Sequence, residues 1–209
     1  MLIHRFINDI FASNTYLLLS DKTEEAWIID PGNPLPVHHR LQESGKTLQG
    51  IFITHSHFDH IYGINELQRN YPKSKVFASE NSLAGLFSAK LNMSKYHDLP
   101  YCVERRDVIS VCGGAQIALG ADLCMKVIET PGHHPGCLSF QIGDELFTGD
   151  ALIPGIGVVT ILPGGDRVLA KKSVELILNW FDNTTRIWPG HGESCPLEEI
   201  DGKSYFKNK

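Results

Sequence analysis

No apolar run in this sequence approaches the ~18 residues that a membrane-spanning helix needs. The start, Met1-Leu2-Ile3-His4-Arg5-Phe6, has no charged region leading into a long apolar stretch. Asn8 and Asp9 interrupt it early, so no secretory signal is expected. No CxxC pair occurs. The five cysteines (Cys102, Cys112, Cys124, Cys137 and Cys195) are scattered and odd in number, which suits reduced thiols in a cytoplasm better than a disulfide framework. A basic run is also missing. With 24 acidic against 19 basic residues the formal charge is −5, which argues against nucleic acid, whose phosphates need a basic face. Neither repeats nor low-complexity tracts nor a linker divide the chain.

What is present is an ordinary globular composition. The 209 residues are 42% hydrophobic and 21% charged, which excludes disorder and fits one domain spanning 1–209. Short apolar segments bounded by turn residues predict strands at Thr15–Leu19, Ala26–Ile29, Gly50–Thr54, Lys75–Ala78, Gln116–Leu119, Leu123–Glu129, Leu138–Ile142, Glu145–Phe147 and Arg186–Trp188. Asp30-Pro31-Gly32 reads as a turn after the second of these. Helical patterns cover Pro36–Ser44, Ile61–Asn70, Asn81–Lys90 and Asp166–Phe181, the last with Asp166 as N-cap. Strands outnumber helices and several follow one another directly, so the expected architecture is two packed sheets with helices outside.

The strongest chemical signal is Thr54-His55-Ser56-His57-Phe58-Asp59-His60, at the end of an apolar strand. Imidazole and carboxylate donors suit zinc, iron or manganese. His55 and His57 are two apart and project the same way from extended backbone. Asp59 and His60 lie where the chain turns and can face a second point, so one segment can serve two adjacent metals. Three further pieces each place a candidate ligand past a strand end beside a glycine: Thr130-Pro131-Gly132-His133, Phe147-Thr148-Gly149-Asp150 and Trp188-Pro189-Gly190-His191-Gly192.

HxHxDH, PGH, GD and PGHG in this order and at these distances resemble the metallo-β-lactamase superfamily, and within it the glyoxalase II-like hydrolases. Leu162-Pro163-Gly164-Gly165-Asp166 also resembles a segment of that group. The resemblance implies an α+β fold, an αββα sandwich of two mixed sheets with helices on the outer faces. It implies two divalent ions, zinc first, with iron or manganese as alternatives. His55, His57 and His133 would bind the first, and Asp59, His60 and His191 the second. Asp150 would bridge them, and a hydroxide would form the other bridge and act as nucleophile on a thioester or related ester. Asp59 is the candidate to orient that hydroxide and move its proton. Two divalent ions, two carboxylates and a hydroxide leave the centre about one positive charge, which favours an anionic or polarised small-molecule substrate.

The sequence departs from the glyoxalase II pattern in places. Only 18 residues follow His191, too few for the helical region that helps bind glutathione. Where shorter relatives carry Arg-Thr-Asp, this chain has Val159-Thr160-Ile161. The apolar Ile156–Ile161 stretch reads either as a greasy pocket wall or as a packed loop. His134 and Cys137 replace the commonest Thr and Ser. His134 is expected to be solvated and Cys137 to be a packing residue. Lys90, Lys95 and Tyr96 are weak binding candidates. An iron-dependent persulfide dioxygenase-like oxidoreductase, with one iron at His55, His133 and Asp150, and a lactonase or β-lactamase on the same scaffold remain alternatives. A binding module without turnover is disfavoured by the complete ligand set.

Overall fold

The computed structural model describes residues 1–120, 123–202 and 205. Among them the strands form two six-stranded mixed sheets. The first holds β1 (Leu2–Ile7), β2 (Asn14–Leu19), β3 (Glu25–Ile29), β4 (Thr47–Phe52), β5 (Lys75–Ala78) and β6 (Val108–Ser110) in chain order. The second holds β7 (Gln116–Ala118), β8 (Cys124–Glu129), β9 (Leu138–Ile142), β10 (Glu145–Gly149), β11 (Arg186–Pro189) and β12 (Cys195–Pro196), also in order. Helices α1 (Pro34–Ser44), α2 (Ile64–Asn70), α3 (Glu80–Leu86) and α4 (Arg167–Trp180) complete the set.

Side-chain alternation builds the layers. On β2, Tyr16 and Leu18 face the second sheet, where they join Val127, Phe140 and Phe147. Leu17 and Leu19 face the other way, onto Val37 and Leu41 of α1 and Leu67 of α2. The second sheet repeats the arrangement: Leu146 and Ile187 back onto Val174 and Ile177 of α4. The result is the expected αββα sandwich. Burial on both faces explains the unbroken apolar run Tyr16–Leu19 in β2.

Some boundaries differ from the sequence reading. β1, β6 and β12 were not expected; each lies at or near a sheet edge, where a neighbour's pairing defines the strand more than its own pattern does. β4 begins at Thr47 rather than Gly50 and ends at Phe52. The helix expected from Ile61 starts at Ile64, because Phe58–His60 form a separate 3-10 turn. The third helix stops at Leu86 rather than Lys90. Asp166 caps α4 as expected, accepting from the Val168 and Leu169 amides. None of the helices described is long and apolar enough to cross a membrane.

What matters for the site is direction. β3 and β4 run parallel, as do β10 and β11. Their carboxyl ends deliver the motif residues to one edge of the sandwich. In the β10–β11 pair Gly149 stands opposite Pro189, so Asp150 and His191 leave adjacent strands close together.

Candidate metal centre

The strand ends bring all seven expected side chains into one cluster. His55 Nε2 lies 3.0 Å from His57 Nδ1, and His133 Nε2 lies 2.9 Å from that same atom. Beside this group, Asp59 Oδ2 is 3.4 Å from both His60 Nε2 and His191 Nε2. Asp150 stands between: its Oδ2 is 3.5 Å from His133 Nε2 and 3.5 Å from His191 Nε2, and its Oδ1 is 3.6 Å from His60 Nε2. A single carboxylate oxygen thus reaches both groups.

The other nitrogen of four rings is fixed by the protein. His133 Nδ1 donates to the Val159 carbonyl at 2.8 Å, and His191 Nδ1 to the Phe11 carbonyl at 3.1 Å. His60 Nδ1 donates to Asp30 Oδ2 at 3.1 Å. The Thr54 hydroxyl donates to the same Asp30 oxygen at 2.6 Å and lies 3.1 Å from His55 Nδ1, from which it accepts. Each contact keeps a proton on Nδ1, so that once a ring is neutral it is Nε2 that turns its lone pair to the cluster. Asp30 therefore orients one histidine of each group. It also accepts from the Thr54 amide at 2.8 Å, and it adopts φ +51°. A non-glycine residue in that region stores about 1–3 kcal/mol of strain, which the surrounding contacts must hold.

Asp30 and Thr54 were not among the candidates drawn from the sequence. The signal existed: Asp30-Pro31-Gly32 follows a strand end beside a glycine, as the ligand motifs do. Asp30→Ala is expected to weaken metal binding by about 10–100-fold. Chelator competition reads this directly, and unchanged affinity would remove Asp30 from the account.

The hairpin between β1 and β2 holds the second group from outside. Ser13 Oγ donates to the Asp59 carbonyl at 2.8 Å. The Asn14 side-chain amide donates to the carbonyls of Pro189 at 3.0 Å and Gly192 at 2.8 Å, clamping the loop that carries His191.

Electrostatically the two groups differ. Burial, then the neighbouring His133 and His134, push His57 down to about 3. Burial and the surrounding rings hold His55 well below the usual range. These rings stay neutral, the form that ligates metal. At His60 burial opposes charge, but Asp59, Asp150 and Asp30 outweigh it and raise the ring to about 9. His191 is likewise raised to about 10, burial being overcome by Asp150 and Asp59. The metal-free fold keeps protons where cations would otherwise sit. Their stabilising contribution is complete below the unfolded value of about 6.5 and is lost as pH rises through about 9 to 10. Metal binding at neutral pH is expected to release about two protons. Calorimetry in buffers of different ionisation enthalpy reads that number, and no release would contradict the assignment.

The cluster fits a cation on two further counts. His57 Nδ1 is approached by two nitrogens that both present lone pairs, with separations close to the ~3.3 Å that Zn–N bonds of ~2.0–2.1 Å would give. His60 Nε2 and Asp150 Oδ1 are buried without a hydrogen-bond partner, which is costly unless an ion completes them.

The signature of the metallo-beta-lactamase superfamily matches residues 8–191. The chain belongs to the metallo-beta-lactamase superfamily. Its members are metal-dependent hydrolases, and the His/Asp cluster is a metal-binding set of that kind. A probable metallo-hydrolase of Streptococcus pyogenes is 32% identical, the match covering 99% of this chain and 90% of the relative. A hydroxyacylglutathione hydrolase of Hahella chejuensis is 31% identical over 79% of this chain but only 56% of its own length. Among solved structures, the BLEG-1 B3 metallo-beta-lactamase superposes with TM-score 0.88 at 25% identity, covering 95% of each chain. TTHA1623 in a di-iron-bound form gives 0.81 at 25% identity, over 94% of this chain and 96% of that one.

Two residues beside the superfamily motif behave differently from one another. His134, expected in solvent, is buried. Its Nδ1 accepts from the Gly136 amide at 2.9 Å, which leaves Nε2–H to donate to Ser56 Oγ at 3.3 Å. Burial and His133 push it down to about 4, so it stays neutral and braces the loop. Cys137 is buried as a packing residue, and burial raises its thiol far from the reactive range. Lys90, Lys95 and Tyr96 are exposed and lie outside the cluster. Ile161 is 91% exposed and Val159 44%, while Val158 packs against the apolar cluster under α4, so the apolar stretch is packed only in part.

Proposed function

We propose that this protein hydrolyses a thioester or related ester of a small molecule at a two-metal centre. His55, His57 and His133 would hold one ion and Asp59, His60 and His191 the other, with Asp150 standing between the two groups. The observation that carries the reading is the set of Nε2, Nδ1 and Oδ atoms turned on common points, with the far nitrogen of four of the five rings tied down. Divalent ions bound there would supply a water of lowered pKa, toward ~7, and a polarised substrate carbonyl. Water oxygen adds to the acyl carbon, the carbon–sulfur or carbon–oxygen bond breaks, and the acid and the thiol or alcohol leave with the two protons shared between them. Asp59, buried between His60 and His191, is the carboxylate that orients the water and takes its proton. Asp150, held ionised by His60, His191 and His133 against the effect of burial, anchors both groups and does not turn over its charge.

The relative named as a hydroxyacylglutathione hydrolase, whose substrate class is a thioester, supports the acyl-transfer reading. Zinc suits the donors, and the di-iron form of TTHA1623 makes iron the second metal to load. The scattered cysteines support a reducing, cytoplasmic setting. Elemental analysis, then a screen of S-lactoylglutathione, an acyl lactone and a β-lactam on the same sample, tests the proposal. Thioester turnover that disappears on chelation is expected. Oxygen consumption with glutathione persulfide by a one-iron protein would replace this reading with the oxidoreductase one.

A further inference from the structure

Two backbone carbonyls lock the rings on either side of Asp150, and both belong to residues whose side chains are exposed and apolar. Phe11, whose carbonyl holds His191, is 66% exposed. Val159, whose carbonyl holds His133, is 44% exposed, and Ile161 two residues on is 91% exposed. His191 is also the most open of the ring ligands in the ion-pair network, with 21% side-chain exposure against 4% for His133, so the centre is open on the side that Phe11 borders.

The Phe11 side is built at a cost. Phe11 and Ala12 have φ +53° and +52°, two successive non-glycine residues in the left-handed region, each strained by about 1–3 kcal/mol. The turn is pinned by Ser13 on the Asp59 carbonyl and by pairing of Ser13 with His191. It presents the Phe11 ring edge-on to Phe58 at 5.6 Å and to His97 at 6.3 Å. On the His133 side, residues 156–161 (Ile-Gly-Val-Val-Thr-Ile) carry no charge, and the Val159 carbonyl holds the ring. Strain of this kind persists where it is useful, and a large exposed aromatic beside a polar centre gains only when something apolar covers it.

We propose that these two apolar rims receive an uncharged, apolar acyl chain, with Phe11 on the His191 side and Val159 and Ile161 on the His133 side. The inference rests on the hydrolase reading and names the acyl half of its substrate. The reacting carbonyl lies at the cluster and the chain runs outward between the rims.

The test uses the metal-loaded full chain and straight-chain acyl thioesters of N-acetylcysteamine from acetyl to octanoyl, with the succinyl thioester alongside. kcat/KM is expected to rise by up to about fourfold per added methylene, and the succinyl compound to fall below butyryl, its uncharged counterpart. In Phe11→Ser and in Ile161→Ser the slope is expected to flatten; it is read within each variant, so a change in overall rate cancels. Calorimetric binding of acetate through octanoate to the same samples gives the second arm. Carboxylates that tighten with chain length while no thioester is turned over would keep the rims and sink the hydrolase. A flat slope in both arms, or a slope that survives both substitutions, would overturn the inference.

Discussion

Asp150→Asn is expected to reduce kcat/KM by well over a hundredfold and to strip at least one metal ion from the purified protein. The change removes one negative charge from the point where the two groups meet and leaves the shape nearly unchanged. Loss of an outer partner of a ligand costs about 10–100-fold, and loss of the joining ligand must exceed that. Asparagine can still occupy the position 3.5 Å from His133 Nε2 and from His191 Nε2, so the fold should survive. With Asp150 gone, one of the carboxylates that keep His60 and His191 protonated in the metal-free fold is missing, and proton release on metal binding should drop as well. Elemental analysis and steady-state rates on the variant check the first effect, and calorimetry checks the second. An active variant with its full metal complement would mean that Asp150 does not join the groups.

Gly190→Ala should be nearly as severe, by a different route. A Cβ at Gly190 would lie 2.1 Å from Asp150 Oδ1, 2.9 Å from His60 Cε1 and 3.0 Å from the Gly149 carbonyl carbon. None of these is the free end of a flexible side chain. Gly190 is fixed on both sides, its amide donating to the Gly149 carbonyl and its own carbonyl accepting from Asn14. One methyl group must therefore push Asp150 or the loop carrying His191 out of register. Overpacking of this kind costs about 1–3 kcal/mol of stability, and displacement of two ligands should abolish measurable turnover. Thermal unfolding and metal content read the two effects separately. A variant with wild-type metal content would show that the close approach of this loop to Asp150 is not required.

The chemistry of this chain was more legible than its edges. His55, His57, Asp59 and His60 stand out because their spacing converts directly into projection from one strand end. His133, Asp150 and His191 stand out because each follows a strand and sits beside a glycine. β2 and β3 were legible from the short continuous apolar runs at Tyr16–Leu19 and Ala26–Ile29, as expected of strands buried on both faces. β1 escaped because its Arg5 turns away to Gly192 and Glu193 and its burial is only partial, which leaves a weak pattern. The start of α2 was misplaced because nothing in the apolar period of Ile61, Ile64 and Leu67 marks the separate 3-10 turn before it. Asp30 was hidden for a different reason: its partners Thr54 and His60 lie 24 and 30 residues away, and a turn explained it locally. The carbonyls of Phe11 and Val159 could not be seen at all, since backbone acceptors carry no residue signature. His134 looked like a surface residue because the Ser56 hydroxyl and the Gly136 amide that enclose it come together only in the fold.

Anomalous scattering from crystals of the metal-loaded protein addresses the two-ion centre most directly. Two peaks about 3.5–4 Å apart are expected, one among His55, His57 and His133 and the other among Asp59, His60 and His191, with Asp150 in contact with both. A single peak held by His55, His133 and Asp150, or peaks lying outside this cluster, would contradict it.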